Sequence, residues 1–386
     1  MFDQIRETIR HFFTPAQPLP AGSHQFQSPP DANSPYRLHL RLEPNGTGLL
    51  IINAKTVLHL NATAAELAYY LVKGASPDQA AAEMARRYRV SREQALTDYK
   101  DLTARIQALI STPDLDPVTY LDLERRDPYT TDLSAPYRLD VAITYHLPAD
   151  EAPEAAPVDR TEKELTTEEW KQVLHKVWDI GIPQVVFTGG EPTLRPDLVD
   201  LIAATQEIGL VSGVLTEGKR FNEPGYLETL LQAGLDHLMI CLDPADETSW
   251  SGLSVALSQD IFTTVHLTLT PENQAQAESI LDRLQKMNAF SLSVSASDPA
   301  LQPVLQQVRE SAAARHLALV WDLPVPYSHI HPIAFEKDIA APDGAGLAWL
   351  YVEPNGDVLP SQQLDRVMGN ILHDPWDKIW AQRNTA

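Results

Sequence analysis

The chain of 386 residues has one cysteine, Cys241, and that scarcity excludes an intrachain disulfide, a multi-thiolate zinc site and an iron–sulfur cluster held wholly by cysteines. Basic residues are also few: 30 Lys+Arg stand against 52 Asp+Glu, a formal net charge of −22. So acidic a chain repels phosphate backbones and anionic headgroups, which argues against nucleic-acid and membrane-surface binding and favours a neutral or basic partner. No run approaches the ~20 apolar residues that span a bilayer. Met1–Arg10 lacks a basic stretch leading into an apolar one, so a cytoplasmic protein is expected. Hydrophobic residues at 44% supply ordinary core material, and the length suits about two or three domains.

Proline, by contrast, is plentiful and marks the organisation. Phe2–Phe13 has the spacing of a short amphipathic helix, but Pro15, Pro18, Pro20, Pro29, Pro30 and Pro35 follow, so residues 1–35 are expected to be a tail and linker. The β-like runs Tyr36–Leu42, Gly48–Ile52 and Thr56–Leu60, with Pro44-Asn45-Gly46 as a hairpin turn, predict a three-stranded meander. Three helices should follow. Asn61 caps Ala64–Lys73, Ser76-Pro77-Asp78-Gln79 opens a helix to Tyr88, and Ser91 opens a third whose Ala95, Tyr99, Leu102, Ile106 and Leu109 share one face. Residues 36–112 thus read as a small domain and the proline-rich stretch 113–136 as a linker.

From Arg138 onward apolar strands alternate with amphipathic helices. Strands are predicted at Leu139–Tyr145, Val185–Thr188, Val211–Thr216, His237–Leu242, Phe262–Thr270, Phe290–Ser295 and Leu317–Val320, and helices at Thr167–Ile180, Asp197–Ile208, Tyr226–Ala233, Pro271–Met287 and Ala300–Arg315. Such alternation implies an α/β domain with a parallel sheet, and about six units over residues 137–323 suit a partial TIM-like barrel better than a complete eightfold one. After Pro324 the rhythm breaks. Residues 324–386 read as a small α+β appendage with strands Leu347–Val352 and Val358–Leu359, a Pro354-Asn355-Gly356 turn and a helix near Asp374–Trp380.

The sharpest local signal is Thr188-Gly189-Gly190-Glu191-Pro192, directly after a strand. Paired glycines let backbone approach a ligand closely, and Glu191 could hold a cation or an amino group. Thr216-Glu217-Gly218 closes the next strand at the matching place and Asp243 the one after, so three carboxylates are available for acid/base or cation-binding work. In the loop Leu147–Pro157, Asp150, Glu151 and Glu154 could bind a hard cation, although its Pro/Ala-rich composition predicts a mobile, solvated segment. His329-Ile330-His331 puts two imidazoles on one side of an extended segment with no evident third ligand, the pattern of structural histidines or of half a zinc site. Cys241 lies inside a predicted strand and reads as a small core residue.

The stretch Leu139–Asp243 resembles the radical S-adenosylmethionine (SAM) superfamily. The resemblance rests on a first strand ending in Thr144-Tyr145, on Thr-Gly-Gly-Glu-Pro, on an Arg195-Pro196-Asp197-Leu198 helix start, and on Thr216-Glu217-Gly218 where relatives have Thr-Asn-Gly. It implies a partial (β/α)6 barrel in which the glycine-rich motif contacts the methionyl amino group of SAM. A SAM-like pocket of Thr188, Gly189, Gly190, Glu191, Pro192, Thr216, Glu217 and Asp243 is what it would leave. Tyr351–Ser361, Met368–Leu372 and Trp376-x-x-Ile379-Trp380 are similar to the SPASM or twitch extension of peptide-modifying members, in degenerate form. Residues 36–110 resemble a PqqD-like RiPP recognition element, a winged-helix module of three strands and three helices that holds a ribosomal precursor peptide. That implies a leader strand beside Thr56, Val57, Leu58, His59 and Leu60, packed near Tyr99 on the third helix.

The departures carry equal weight. The family's C-x3-C-x2-C loop falls without gaps on Leu147, Glu151 and Glu154, so no iron–sulfur cluster is expected. Ser361 stands where an auxiliary-cluster cysteine is usual, and Ala341 before Pro342-Asp343-Gly344 replaces another. Without a cluster there is no electron source for reductive SAM cleavage. The expected function is a cysteine-less, non-catalytic peptide-binding or scaffold homologue, working beside a catalytic partner protein and keeping at most a SAM-like pocket. The competing reading is a non-radical enzyme that uses the carboxylates at the strand ends.

Overall fold

A computed structural model describes residues 17–29, 36–53, 56–112, 133–320, 323–338 and 343–384. The expected helix at Phe2–Phe13, most of the linker and the Ala341-Pro342 pair lie outside these described residues. The chain divides into two units, residues 1–126 and 127–386.

In the first unit, β1 (Gly22–Gln27), β2 (Arg37–Leu42), β3 (Gly48–Ile52) and β4 (Thr56–Leu60) form an antiparallel sheet in the order β1-β2-β3-β4. Strand β1 corrects the expectation of an unstructured tail. Its prolines bracket the strand without entering it, and Phe26, opposite Leu38, packs on the core. The helices α1 (Ala62–Val72), α2 (Pro77–Arg87) and α3 (Arg92–Ser111) start where the capping residues predict. Asn61 accepts from the Ala64 N–H at 2.9 Å, and Ser76 and Gln79 cap each other's backbone reciprocally. Leu38, Leu40, Leu50, Leu58, Ala68 and Ile106 close one core over the sheet, and Ala80, Met84, Ala95 and Tyr99 form a second.

The second unit alternates strand and helix through β5 (Arg138–Thr144), α4 (Thr167–Ile180), β6 (Gln184–Gly189), α5 (Leu198–Ile208), β7 (Val211–Thr216), α6 (Tyr226–Gln232), β8 (His237–Cys241), α7 (Glu247–Leu257), β9 (Phe262–Leu269), α8 (Ala277–Lys286), β10 (Ser291–Ala296), α9 (Gln302–Ala314) and β11 (Ala318–Leu319). These seven strands pair in parallel in sequence order, the arrangement that βα units with buried strands dictate. Helix α7 was not anticipated, because the Ser and Gly residues of its sequence hide the Trp250, Leu253 and Ala256 stripe. Gly252 is there for space: a Cβ would run into the Gly218 carbonyl.

The C-terminal segment is not an appendage. Strand β12 (Trp349–Val352) pairs in parallel with β5, and β13 (Asp357–Leu359) and β14 (Gly369–Asn370) continue the same ten-stranded sheet. Leu350, Val352, Met368, Ile379 and Trp380 join the core under the helices, so the segment covers the β5 edge that the alternating pattern left exposed. α10 (Trp376–Ala381) stacks Trp376 on Trp380 at 5.3 Å between ring centroids. On the sheet face away from the helices, Val186, Leu215, Met239 and Cys241 pack under Val325.

Candidate functional site

The C-terminal ends of β5 to β8 carry the predicted site residues, and the glycine-rich turn after β6 is their base. Gly189 has a φ of +120°, and a Cβ on it would meet the Thr144 carbonyl oxygen; one on Gly190 would meet the His146 carbonyl. The close approach is used for hydrogen bonds. Gly190 N–H donates to Thr144 O and Glu191 N–H to His146 O, both at 2.9 Å, while Gly189 O accepts from Tyr327 N–H at 2.8 Å. Gly189→Ala should therefore lower stability by about 2 kcal/mol in chemical denaturation, from strain and collision together; an unchanged midpoint would contradict this geometry.

Glu191 is buried and its carboxylate is saturated. It accepts from Thr193 N–H at 2.9 Å, Thr193 Oγ1 at 2.5 Å, Thr216 Oγ1 at 2.8 Å and Glu217 N–H at 3.0 Å. The residue expected to meet an amino group instead ties the end of β6 to that of β7.

A second network lies beside it and joins residues far apart in sequence. Glu151, with its side chain 3% exposed, accepts from the His329 backbone N–H and lies against His329 Nδ1, both at 2.9 Å. His329 Nε2 lies 3.1 Å from Asp243 Oδ2, so both ring nitrogens face carboxylates. Burial pushes the Glu217 carboxyl up to about 9, helped by its hydrogen bond to Glu151 and by the charges of Glu191 and Glu151, against Lys219. Burial also pushes Glu151 up, but hydrogen bonds from Glu217 and His329 outweigh it and hold Glu151 below the usual carboxylate range. Glu217 thus keeps its proton at neutral pH and donates it to Glu151. Lys219 Nζ sits 3.2 Å from Glu217 Oε2 and 3.3 Å from Asp246.

Several expectations change here. Glu151 is pinned, because His329, Glu217 and the short helical turn Pro153–Ala155 give the loop partners that its composition does not reveal. Glu154 and Asp150 remain exposed and outside the network. His329 and His331 do not face the same way: Ser328 and His331 exchange backbone hydrogen bonds in a tight turn, and His331 is buried edge-on to His266 at 6.5 Å between ring centroids. The Glu151–His329 pairing, 178 residues apart, was outside the reach of any spacing argument. Thr188 and Pro192 are buried in or beside the turn. Among the expected peptide contacts, Thr56 to Leu60 form the edge strand β4, whereas Tyr99 is 4% exposed and donates its hydroxyl to Ala75 O, which leaves it no surface for a peptide.

A site-differentiated iron–sulfur cluster does not fit these residues. Leu147 packs against the apolar cluster that includes Tyr145, Tyr327 and Tyr351, Glu151 is spent on His329 and Glu217, and Glu154 is exposed. Cys241 is buried among apolar side chains, and burial pushes its thiol well above the usual range, with Glu217 and Glu191 adding to the effect. Ser361 is likewise buried. In the expected SAM-like pocket, the Gly189 carbonyl accepts from Tyr327 N–H and the Glu191 carboxylate is held by Thr193, Thr216 and Glu217.

Comparison with known proteins agrees with the fold. Residues 148–261 match the family model described as Radical SAM superfamily. A PqqA peptide cyclase of Methylorubrum populi is 31% identical over 57% of this chain and 66% of its own length. Another, of Bradyrhizobium diazoefficiens, is 36% identical over 32% of this chain and 33% of its own. The chain therefore spans less than two thirds of these relatives. Streptococcus suis SuiB bound to its precursor peptide SuiA superposes with a TM-score of 0.58 at 14% identity, covering 88% of this chain and 86% of that one. SuiB bound to S-adenosylmethionine superposes at 0.59 with 15% identity, over 89% and 86%. At such identities the likeness is one of fold, and the match to the radical SAM superfamily model covers residues 148–261, the stretch that carries the glycine-rich turn, Glu217 and Asp243.

Proposed function

We propose that the chain is a peptide-binding relative of the peptide-modifying radical SAM proteins that performs no radical chemistry itself and presents its peptide to a catalytic partner protein. The observation that carries this is the fate of the three cluster-ligand positions: an apolar contact at Leu147, a hydrogen-bonded carboxylate at Glu151 and a solvated one at Glu154. No thiolate can hold iron there. The peptide half of the reading is supported by relatives named PqqA peptide cyclase and by SuiB bound to a precursor peptide. A likeness over 88% of the chain also extends beyond residues 127–386 into the first unit. That unit, residues 36–112, acts in this reading as a PqqD-like winged-helix recognition element. A basic leader adds as a strand beside β4, its backbone pairing with Thr56–Leu60 and its side chains alternating between pockets. Residues 137–323 act as a partial (β/α)6 barrel, and residues 324–386 as a degenerate SPASM-type region that has merged with the sheet.

The competing reading, acid/base catalysis by Glu191, Glu217 and Asp243, is disfavoured because Glu191 is hydrogen-bond saturated and Asp243 is held by His329. The test has two arms. Anaerobic reconstitution with iron and sulfide should leave no charge-transfer absorbance, and no 5′-deoxyadenosine should form from SAM and dithionite; a cluster spectrum would overturn the non-radical assignment. A random-peptide display library selected on the whole chain should enrich binders that a Val57→Pro variant of unchanged circular dichroism no longer retains. Enriched peptides that bind both proteins equally would remove β4 as the site.

A further inference from the structure

We propose that Glu151, Glu217 and His329 form a binding site for a single divalent transition ion of zinc-like preference at the C-terminal ends of the parallel strands. One ligand atom from each residue lies within 4.8 Å of the other two. That span can close on one ion bound at the ~2.0–2.2 Å typical of zinc–nitrogen and zinc–carboxylate bonds. The donor set, an imidazole and two carboxylates, is borderline and matches zinc, manganese or ferrous iron better than it matches calcium.

Burial separates this group from an ordinary surface patch of acids. Glu151 and Glu217 expose 3% and 7% of their side chains. Glu217 Oε2 is buried and is paired with the Lys219 ammonium at 3.2 Å. Its one cationic neighbour, Lys219, has a second carboxylate in Asp246 at 3.3 Å and can remain there when an ion takes the Glu217 oxygen. The supporting residues also have the form of a metal site. Asp243 lies 3.1 Å from the second nitrogen of His329 and orients the ring, leaving Nδ1 to turn its lone pair towards the ion in place of Glu151. Asp243 is held in turn by Ala245 N–H at 2.9 Å. The site does not depend on peptide binding: the display selection can fail while zinc binds, and the reverse.

Titration calorimetry of the whole chain with zinc chloride, and visible spectroscopy with cobalt(II), provide the test. One equivalent should bind to the wild type, give the intense bands of four- or five-coordinate cobalt, and raise the melting temperature. Glu151→Gln and His329→Gln should each weaken zinc more than about tenfold, as loss of metal-site residues does. His175→Gln, in a separate groove lined by Asp200 and Glu207, should leave affinity unchanged and so controls for adventitious binding by an acidic chain. The proposal fails if the wild type binds no zinc, if His329→Gln and Glu151→Gln bind as the wild type does, or if His175→Gln is the variant that loses the ion. Should a variant not fold, the cobalt spectrum of the wild type decides alone, because an octahedral aquo-like spectrum is incompatible with this inner site.

Discussion

Glu191→Ala is expected to lower the free energy of unfolding by ~4 kcal/mol, because four donors in a buried turn lose their shared acceptor at once. An unpaired buried donor costs roughly 1–3 kcal/mol, and the alanine leaves no group to replace the carboxylate. Glu191→Gln should fall between: one amide oxygen still accepts, but its NH2 group faces Thr216 and the Glu217 N–H, which also donate. Urea denaturation of the three proteins at pH 7 decides the matter. Were Glu191 a ligand-binding residue held in reserve, Glu191→Ala would unfold near the wild-type midpoint, as removal of an idle buried charge often costs little.

The second large effect concerns acid. Burial drives the His266 imidazole down to about 3, with His331 opposing its protonation as well, and burial drives His237 down to about 4, with Arg138 adding to it. His266 is held neutral among Ser293, Thr268 and Ser295 at 3.0 to 3.2 Å. In the unfolded chain both rings titrate near 6.5, so below that pH the unfolded state binds protons that the folded state refuses. Their stabilising contribution is complete above about pH 6.5 and falls as pH drops towards 4, by an amount on the order of 3 kcal/mol for each ring. The raised Glu217 carboxyl works in the opposite sense, its contribution falling as pH rises from about 4.5 towards 9. Comparing wild type with His266→Asn cancels that term: the difference in unfolding free energy between pH 7 and pH 4.5 should shrink by ~2 kcal/mol in the variant. Equal pH slopes for the two proteins would mean that His266 is solvated or already charged in the fold.

Much of this architecture was legible because it is written in local rules. The Ser76 and Thr166 capping boxes, the Gly181 stop with its left-handed φ, and the continuous apolar strands of the second unit stand where side-chain chemistry alone puts them. The errors occur where a local rule was stretched over a long interval. The prolines from Pro15 to Pro35 predict a tail and linker without regular structure, yet β1 fits between Pro20 and Pro29. Residues 247–257 carry no helix in the periodicity reading, yet they form α7, whose Gly252 lies against Gly218 O.

The candidate site divides in the same way. Sequence alone determined that residues 188–192, 216–217 and 243 lie at one end of adjacent parallel strands, that no thiolate stands at positions 147, 151 and 154, and that Cys241 belongs to a strand, since each of these follows from residue identity and short-range periodicity. Only the tertiary structure decided what those residues do. It saturated Glu191 with hydrogen bonds, brought Glu151 and His329 together across 178 residues and gave Glu217 its proton, because hydrogen-bond partners and desolvation are set by chain segments that meet only once the sheet has formed.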